Sequence, residues 1–93
     1  MESPRVLLAD DLPGTLETVT QLLRDDFEIV GYAQDGEEAI NAATTYNPDL
    51  LVLDIEMPFR NGIQVASHLR DAGCRAKVIF LTVHEDLDYV EVS

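Results

Sequence analysis

The sequence predicts an α/β fold: a doubly wound parallel sheet of four strands, with helices on both faces. Three observations predict it. Four short apolar runs, rich in β-branched residues, alternate with amphipathic stretches. The intervening segments are long enough for the crossover helices that parallel strands require. Three of the runs are apolar throughout, as strands covered on both faces are.

Val6-Leu7-Leu8-Ala9 forms the first strand. Pro13 can open the helix that follows, since its fixed φ suits a first helical turn. Leu16, Val19, Leu22 and Leu23 mark that helix's apolar face. Phe27 to Ala33 is the second strand. It alternates apolar and polar residues, with Glu28 among the polar ones, which suits a sheet edge. The second helix starts on a capping box, with Asp35 as N-cap and Glu38 reaching back to it. Ala39, Ile40, Ala42, Ala43 and Tyr46 form its buried face, and Pro48 separates it from Leu50-Leu51-Val52-Leu53, the third strand. A third helix places Ile63, Ala66 and Leu69 on one face with Val65 on the flank. Asn61 and Gln64 stand at capping-box spacing and Gly73 is its terminator. Val78-Ile79-Phe80-Leu81 is the fourth strand. His84 to Ser93, with Leu87, Tyr89 and Val90 on one side, reads as a helix cut short.

Composition narrows the function classes. The chain has 93 residues, with 6 Lys+Arg against 18 Asp+Glu, a net charge of -12 and one cysteine. That length fits one domain spanning 1-93. An apolar fraction of 46% is too high for a disordered acidic tail. A lone cysteine excludes an intrachain disulfide and a cysteine-based zinc site. No run approaches the roughly 18 apolar residues of a membrane span, and Met1 to Ala9 is no basic, apolar signal segment, which points to the cytoplasm. The negative charge opposes direct nucleic-acid binding and contact with anionic lipid.

Right-handed crossovers and strand order 2-1-3-4, the flavodoxin-like arrangement, put the first helix on one face and the other two on the opposite face. The chain direction then reverses between strands 1 and 3. Ligands of open α/β sheets bind at such a reversal, beyond the carboxyl ends of the strands. Asp10 and Asp11 end strand 1 and Asp54 ends strand 3. Three converging carboxylates are unfavourable unless a cation sits among them, and oxygen ligands suit magnesium. The plainer alternative is that acids after a strand merely cap helices or line loops.

Three blocks now resemble a known family. Val6-Leu7-Leu8-Ala9-Asp10-Asp11, then Leu53-Asp54-Ile55-Glu56-Met57-Pro58-Phe59-Arg60-Asn61-Gly62, then Val78-Ile79-Phe80-Leu81-Thr82 resemble the receiver domain of two-component response regulators. The Asp-x-x-Met-Pro-x-x-x-Gly run is the most specific. Around strand 3 the wording resembles the subfamily whose output is a LuxR-type DNA-binding domain. The resemblance implies that Asp54 is the phosphoacceptor for a sensor histidine kinase, a signalling role and not that of an enzyme. It implies Mg²⁺ bound by Asp11, Asp54 and the backbone carbonyl of Glu56, with Asp10 acting through a metal-bound water or a hydrogen bond. Thr82 becomes the switch hydroxyl, Pro58 and Gly62 shape the turn, and Glu56 and Val83 flank the site. On the plainer alternative, Thr82 caps a helix with Glu85 at capping-box spacing. His68 is expected on an exposed helix face, His84 on a surface loop, and Cys74 half-buried.

The family also has a fifth strand, a lysine at its end, and a final helix, none of which this sequence shows. Its only lysine, Lys77, starts strand 4, at the wrong end of the sheet. The expectation is therefore a receiver lacking the fifth βα unit, truncated before that strand, with an open strand 4 edge. Two chains would then complete each other as a homodimer, by pairing those edges or exchanging elements. Loss of the lysine favours a rival reading, a phosphorylation-independent interaction module. A phosphohydrolase of the haloacid dehalogenase type is a weaker rival, because Glu56 stands where that family has a second Asp.

Overall fold

The computed structural model describes residues 3–83 and 88–92, the stretch from Thr82 onward by its backbone. The elements are β1(Arg5–Ala9), α1(Pro13–Leu23), β2(Glu28–Ala33), α2(Gly36–Tyr46), β3(Leu50–Asp54), α3(Gly62–Asp71), β4(Lys77–Val83) and β5(Asp88–Val92). They build one sheet in the order β2-β1-β3-β4-β5. The first four strands are parallel, in the expected 2-1-3-4 order with β2 at the edge. Among the described residues no helix is long and apolar enough to cross a membrane.

Alternation along β1 divides the core. Leu7 and Ala9 pack with Leu51, Leu53, Ala39, Ala43, Val65 and Leu69 under α2 and α3. Val6 and Leu8 face the other way, with Val52 and Leu16 under α1. Leu7, Leu8, Leu51 and Leu53 are fully buried, each contributing about 1.5–3 kcal/mol. The division of helices between faces is the one the crossovers demand. With α1 as the helix on its face, Ile79 and Leu81 of β4 remain only partly buried.

Local signals explain the element boundaries. Pro13 opens α1. Asp35 caps α2 by accepting from Glu38 N–H at 2.8 Å. The return half of that box differs from expectation: the Glu38 carboxylate accepts from Gln34 N–H, also at 2.8 Å, one residue further back. Asn61 and Gln64 form the complete reciprocal box at α3. Asn47 ends α2 in the left-handed region, and Gly73, with φ 89°, follows α3 as expected. At the far end of α2, the Tyr46 ring comes close to Gly31 of β2. A Cβ on Gly31 would stand 3.0 Å from that ring, so any larger residue requires the ring to shift by a few tenths of an ångström.

Three expectations need correction. Leu22 is 72% exposed, because the core face of α1 runs through Leu16, Val19 and Leu23. In α3, Val65 and Leu69 are buried at helical spacing while Ile63 is 56% exposed, so Val65 belongs to the face and not the flank. The third correction concerns the helix expected over His84 to Ser93. Residues 84–87 lie outside the described part, and residues 88–92 form β5, antiparallel to β4, with Ile79 opposite Val92 and Val83 opposite Asp88. Residues 84–87 are too few for a crossover, so a strand following them can only return antiparallel. Tyr89, Val90 and Val92 have strand propensity, and the free hydrogen-bonding groups of β4 supply the partner. The β4 edge is therefore not open, and pairing of two chains along it has no free edge to use.

Candidate functional site

Strand register brings the acids together. Ala9 is paired with Leu53 across β1 and β3, so the next residues, Asp10 and Asp54, stand side by side at the carboxyl edge. Asp11 follows directly. One carboxylate oxygen from each of Asp10, Asp11 and Asp54 lies within 4.8 Å of the others. The place is the reversal between β1 and β3.

Asp10 is 2% exposed, an unusual position for a carboxylate. Its N–H continues the β1–β2 pairing by donating to Ala33 O at 3.0 Å. Its Oδ1 accepts from Leu12 N–H at 2.8 Å and turns the chain toward α1. The loop role raised as an alternative is thus real for Asp10, but that bond engages only Oδ1. The N-cap of α1 is Leu12, so neither Asp10 nor Asp11 is the helix cap. Asp54 is half-buried, and its Oδ1 accepts from Glu56 N–H at 3.3 Å. The Glu56 side chain is exposed.

Crowding sets the electrostatics. The Asp54 carboxyl is raised to about 6, first by burial and then by the Asp10 charge, with the Glu56 N–H opposing the rise. Asp11 and Glu56 add smaller pushes upward. Burial also raises Asp10, against the Leu12 N–H, with Asp11 adding to the rise. Such a cluster relieves its repulsion by keeping a proton or by taking a cation. The donors are all hard oxygens with open space on the Asp11 side, which fits a magnesium ion better than a softer metal.

The remaining expected residues fall as follows. Leu81 is paired with Asp54 across β3 and β4, so Thr82 comes one residue later at the same edge. The proposed cap of Thr82 with Glu85 involves a residue outside the described part, as does His84. Val83 ends β4. Lys77 is paired with Leu50, at the opposite end of the sheet from Asp54. His68 is exposed and Cys74 half-buried, as expected. A Cβ on Gly62 would collide with the Asp54 carbonyl oxygen, so glycine is required where α3 begins. Pro58 accepts from Gly36 N–H at 3.3 Å.

Gly36 and Glu37 touch the loop that follows Asp54, and Phe59 lies in it; sequence reasoning missed these contacts. The segment after Asp35 was legible only as a helix start. No spacing rule links it to a loop in the third βα unit. Phe59 has φ 69°, and phenylalanine carries no preference for that region that could have signalled it.

A family model described as the response regulator receiver domain matches residues 6–93. The transcriptional regulatory protein YvfU of Bacillus subtilis is 40% identical over 90 residues, covering 94% of this chain and 44% of that protein. A DNA-binding response regulator of the LuxR family from Staphylococcus aureus has a similar structure, with TM-score 0.82 and 31% identity, over 88% of this chain and 70% of that one. The CheX-CheY-BeF3-Mg²⁺ complex of Borrelia burgdorferi contains another similar chain, with TM-score 0.82 and 33% identity, over 87% of this chain and 63% of that one. The chain spans less than half the length of the first curated relatives it matches.

Proposed function

This chain belongs to the response regulator receiver domain family, and on that premise we propose that it is a phosphoacceptor with Asp54 as the acceptor. The Asp54 carboxylate attacks the phosphorus of a phosphohistidine on a sensor histidine kinase. A P–O bond forms as the P–N bond breaks, and the electron pair leaves with the imidazole. Asp10, Asp11 and Asp54, with the Glu56 backbone carbonyl, hold Mg²⁺, which when bound supplies charge neutralisation for the phosphoryl oxygens and the acids. Thr82 supplies the hydroxyl that turns toward the modified Asp54 and starts the conformational switch.

One observation carries this reading: three carboxylate oxygens within 4.8 Å of one another at the reversal between β1 and β3. The similar CheY chain in a complex with BeF3 and Mg²⁺ supports the cofactor and the phosphoryl chemistry. The output follows the relatives. Control of transcription through a LuxR-type DNA-binding domain is the role we assign to the whole protein. The acidic surface, at net charge -12, keeps this domain itself off nucleic acid and anionic lipid, and we place it in the cytoplasm with its kinase.

The test is labelling with acetyl phosphate or a kinase, followed by intact-mass measurement. The expected result is a single phosphoryl addition that needs Mg²⁺ and vanishes in Asp54→Asn. Label on another residue of Asp54→Asn refutes the assignment. Absence of label from every donor, with partner contact unaffected by Asp54→Asn, turns the reading to the phosphorylation-independent interaction module.

A further inference from the structure

The loop between Asp54 and α3 is fixed at both ends by elements already described. Gly62 N–H donates to Ile55 O at 2.8 Å, and Gly62 packs directly on the Asp54 carbonyl. Met57 is buried in the core. The middle of the loop is held differently. Arg60 N–H donates to Pro58 O at 2.8 Å, which closes a three-residue turn around Phe59. With φ 69° at its centre, this is the rarer, strained form of the γ-turn. A bulky residue there persists only where its surroundings impose the conformation. Phe59 cannot impose it by packing, because it is 83% exposed.

The surroundings are the start of α2. Gly36 N–H donates to the same Pro58 carbonyl at 3.3 Å. The bare Cα of Gly36 lies against the Arg60 backbone so closely that a Cβ would collide with the Arg60 carbonyl. Arg60 Nε meets Glu37 Oε1 at 2.7 Å. On its other side, Arg60 Nη1 lies 3.2 Å from His68 Nδ1 of α3. The Arg60–Glu37 ion pair lies at the surface, with both side chains partly exposed. What it and the Gly36 contacts hold is a turn whose own side chain points to solvent.

We propose that the start of α2 is a clamp on this turn, and that through it Gly36, Glu37 and Arg60 position the Asp54 carboxylate and the Glu56 carbonyl. They are positioning residues for the chemistry proposed above, and the inference rests on that reading. The most sensitive link is the Glu56 N–H bond to Asp54 Oδ1, which at 3.3 Å is long enough for a small loop shift to break it or tighten it. With the clamp released, Phe59 relaxes toward negative φ and the adjoining peptides turn with it.

The test uses the full chain labelled with ¹⁵N, first without metal and then titrated with Mg²⁺ alone, alongside thermal unfolding. In Arg60→Gln, the loss of a partly exposed ion pair is expected to move the Glu56 amide resonance and weaken Mg²⁺ about threefold, with little change in melting. Arg60→Lys, which keeps a charge for Glu37, is expected to recover most of both. Gly36→Ala is expected to weaken Mg²⁺ about tenfold, since the loop must move to admit the methyl group. Should Gly36→Ala not fold, the Arg60 pair decides. A folded Arg60→Gln with the wild-type Glu56 resonance and wild-type Mg²⁺ affinity overturns the clamp, as does an Arg60→Lys no better than Arg60→Gln. If the wild type itself binds no Mg²⁺, the functional reading fails, while the metal-free Glu56 resonance still decides the clamp.

Discussion

Replacing Asp54 by asparagine is expected to stabilise the metal-free protein. Asparagine keeps the shape and the oxygen that accepts from Glu56 N–H, and it removes the charge that burial and Asp10 disfavour. The sign follows from linkage. Below the ordinary value of 3.8 the carboxyl is protonated in both states. Between 3.8 and about 6 the folded chain holds a proton that the unfolded chain has lost, so stability declines as pH rises. Above that range both states are charged and the full penalty is present. A shift of about two units corresponds to at most about 3 kcal/mol, and water at the half-buried Asp54 screens this to about 1 kcal/mol. Urea denaturation with a chelator measures it. Asp54→Asn is expected to exceed the wild type by about 1 kcal/mol near pH 7.5, and the gap should close toward pH 4. Excess Mg²⁺ then restores the wild type by mass action and leaves the variant behind. A wild type as stable as Asp54→Asn at pH 7.5 without metal, or a gap independent of pH, would refute the reasoning.

Three other outcomes follow from the packing. Gly62→Ala is expected to lower stability by about 1–3 kcal/mol, because the new methyl group meets the Asp54 carbonyl oxygen; an unchanged denaturation midpoint contradicts that contact. Asn61→Ala removes the N-cap of α3 and is expected to lower stability by about 1 kcal/mol in the same assay, with a smaller loss for Gln64→Ala. Light scattering is expected to give the mass of one chain, because β5 fills the β4 edge from within the same molecule. A two-chain mass would bring back the exchange of elements that the sequence suggested.

The elements most legible in the sequence are those governed by a strict period. Leu7 and Leu8 had to face opposite ways, and two parallel strands each ending in Asp had to bring Asp10 and Asp54 together once the order was 2-1-3-4. The rest was hidden for physical reasons. The register of α3 is set by Gly62 seating on the Asp54 carbonyl, a contact between backbones that spacing does not encode. A short helix with few apolar residues therefore allowed Ile63 to be mistaken for core. β5 carries both a helical and an alternating pattern, and its partner, the β4 edge, decides between them. Glu38 reaches Gln34 because a flexible carboxylate has more than one nearby N–H to satisfy.

The close approach of Tyr46 to Gly31 has a use of its own. A proton held close to an aromatic ring is displaced from its usual resonance by the ring current, and the chain has no tryptophan to confuse the assignment. The Gly31 α-protons are therefore a natural gauge of where the far end of α2 sits. A rigid helix of α2's length carries a displacement from one end to the other, so any rocking at Gly36 should be readable at Gly31 without adding a probe.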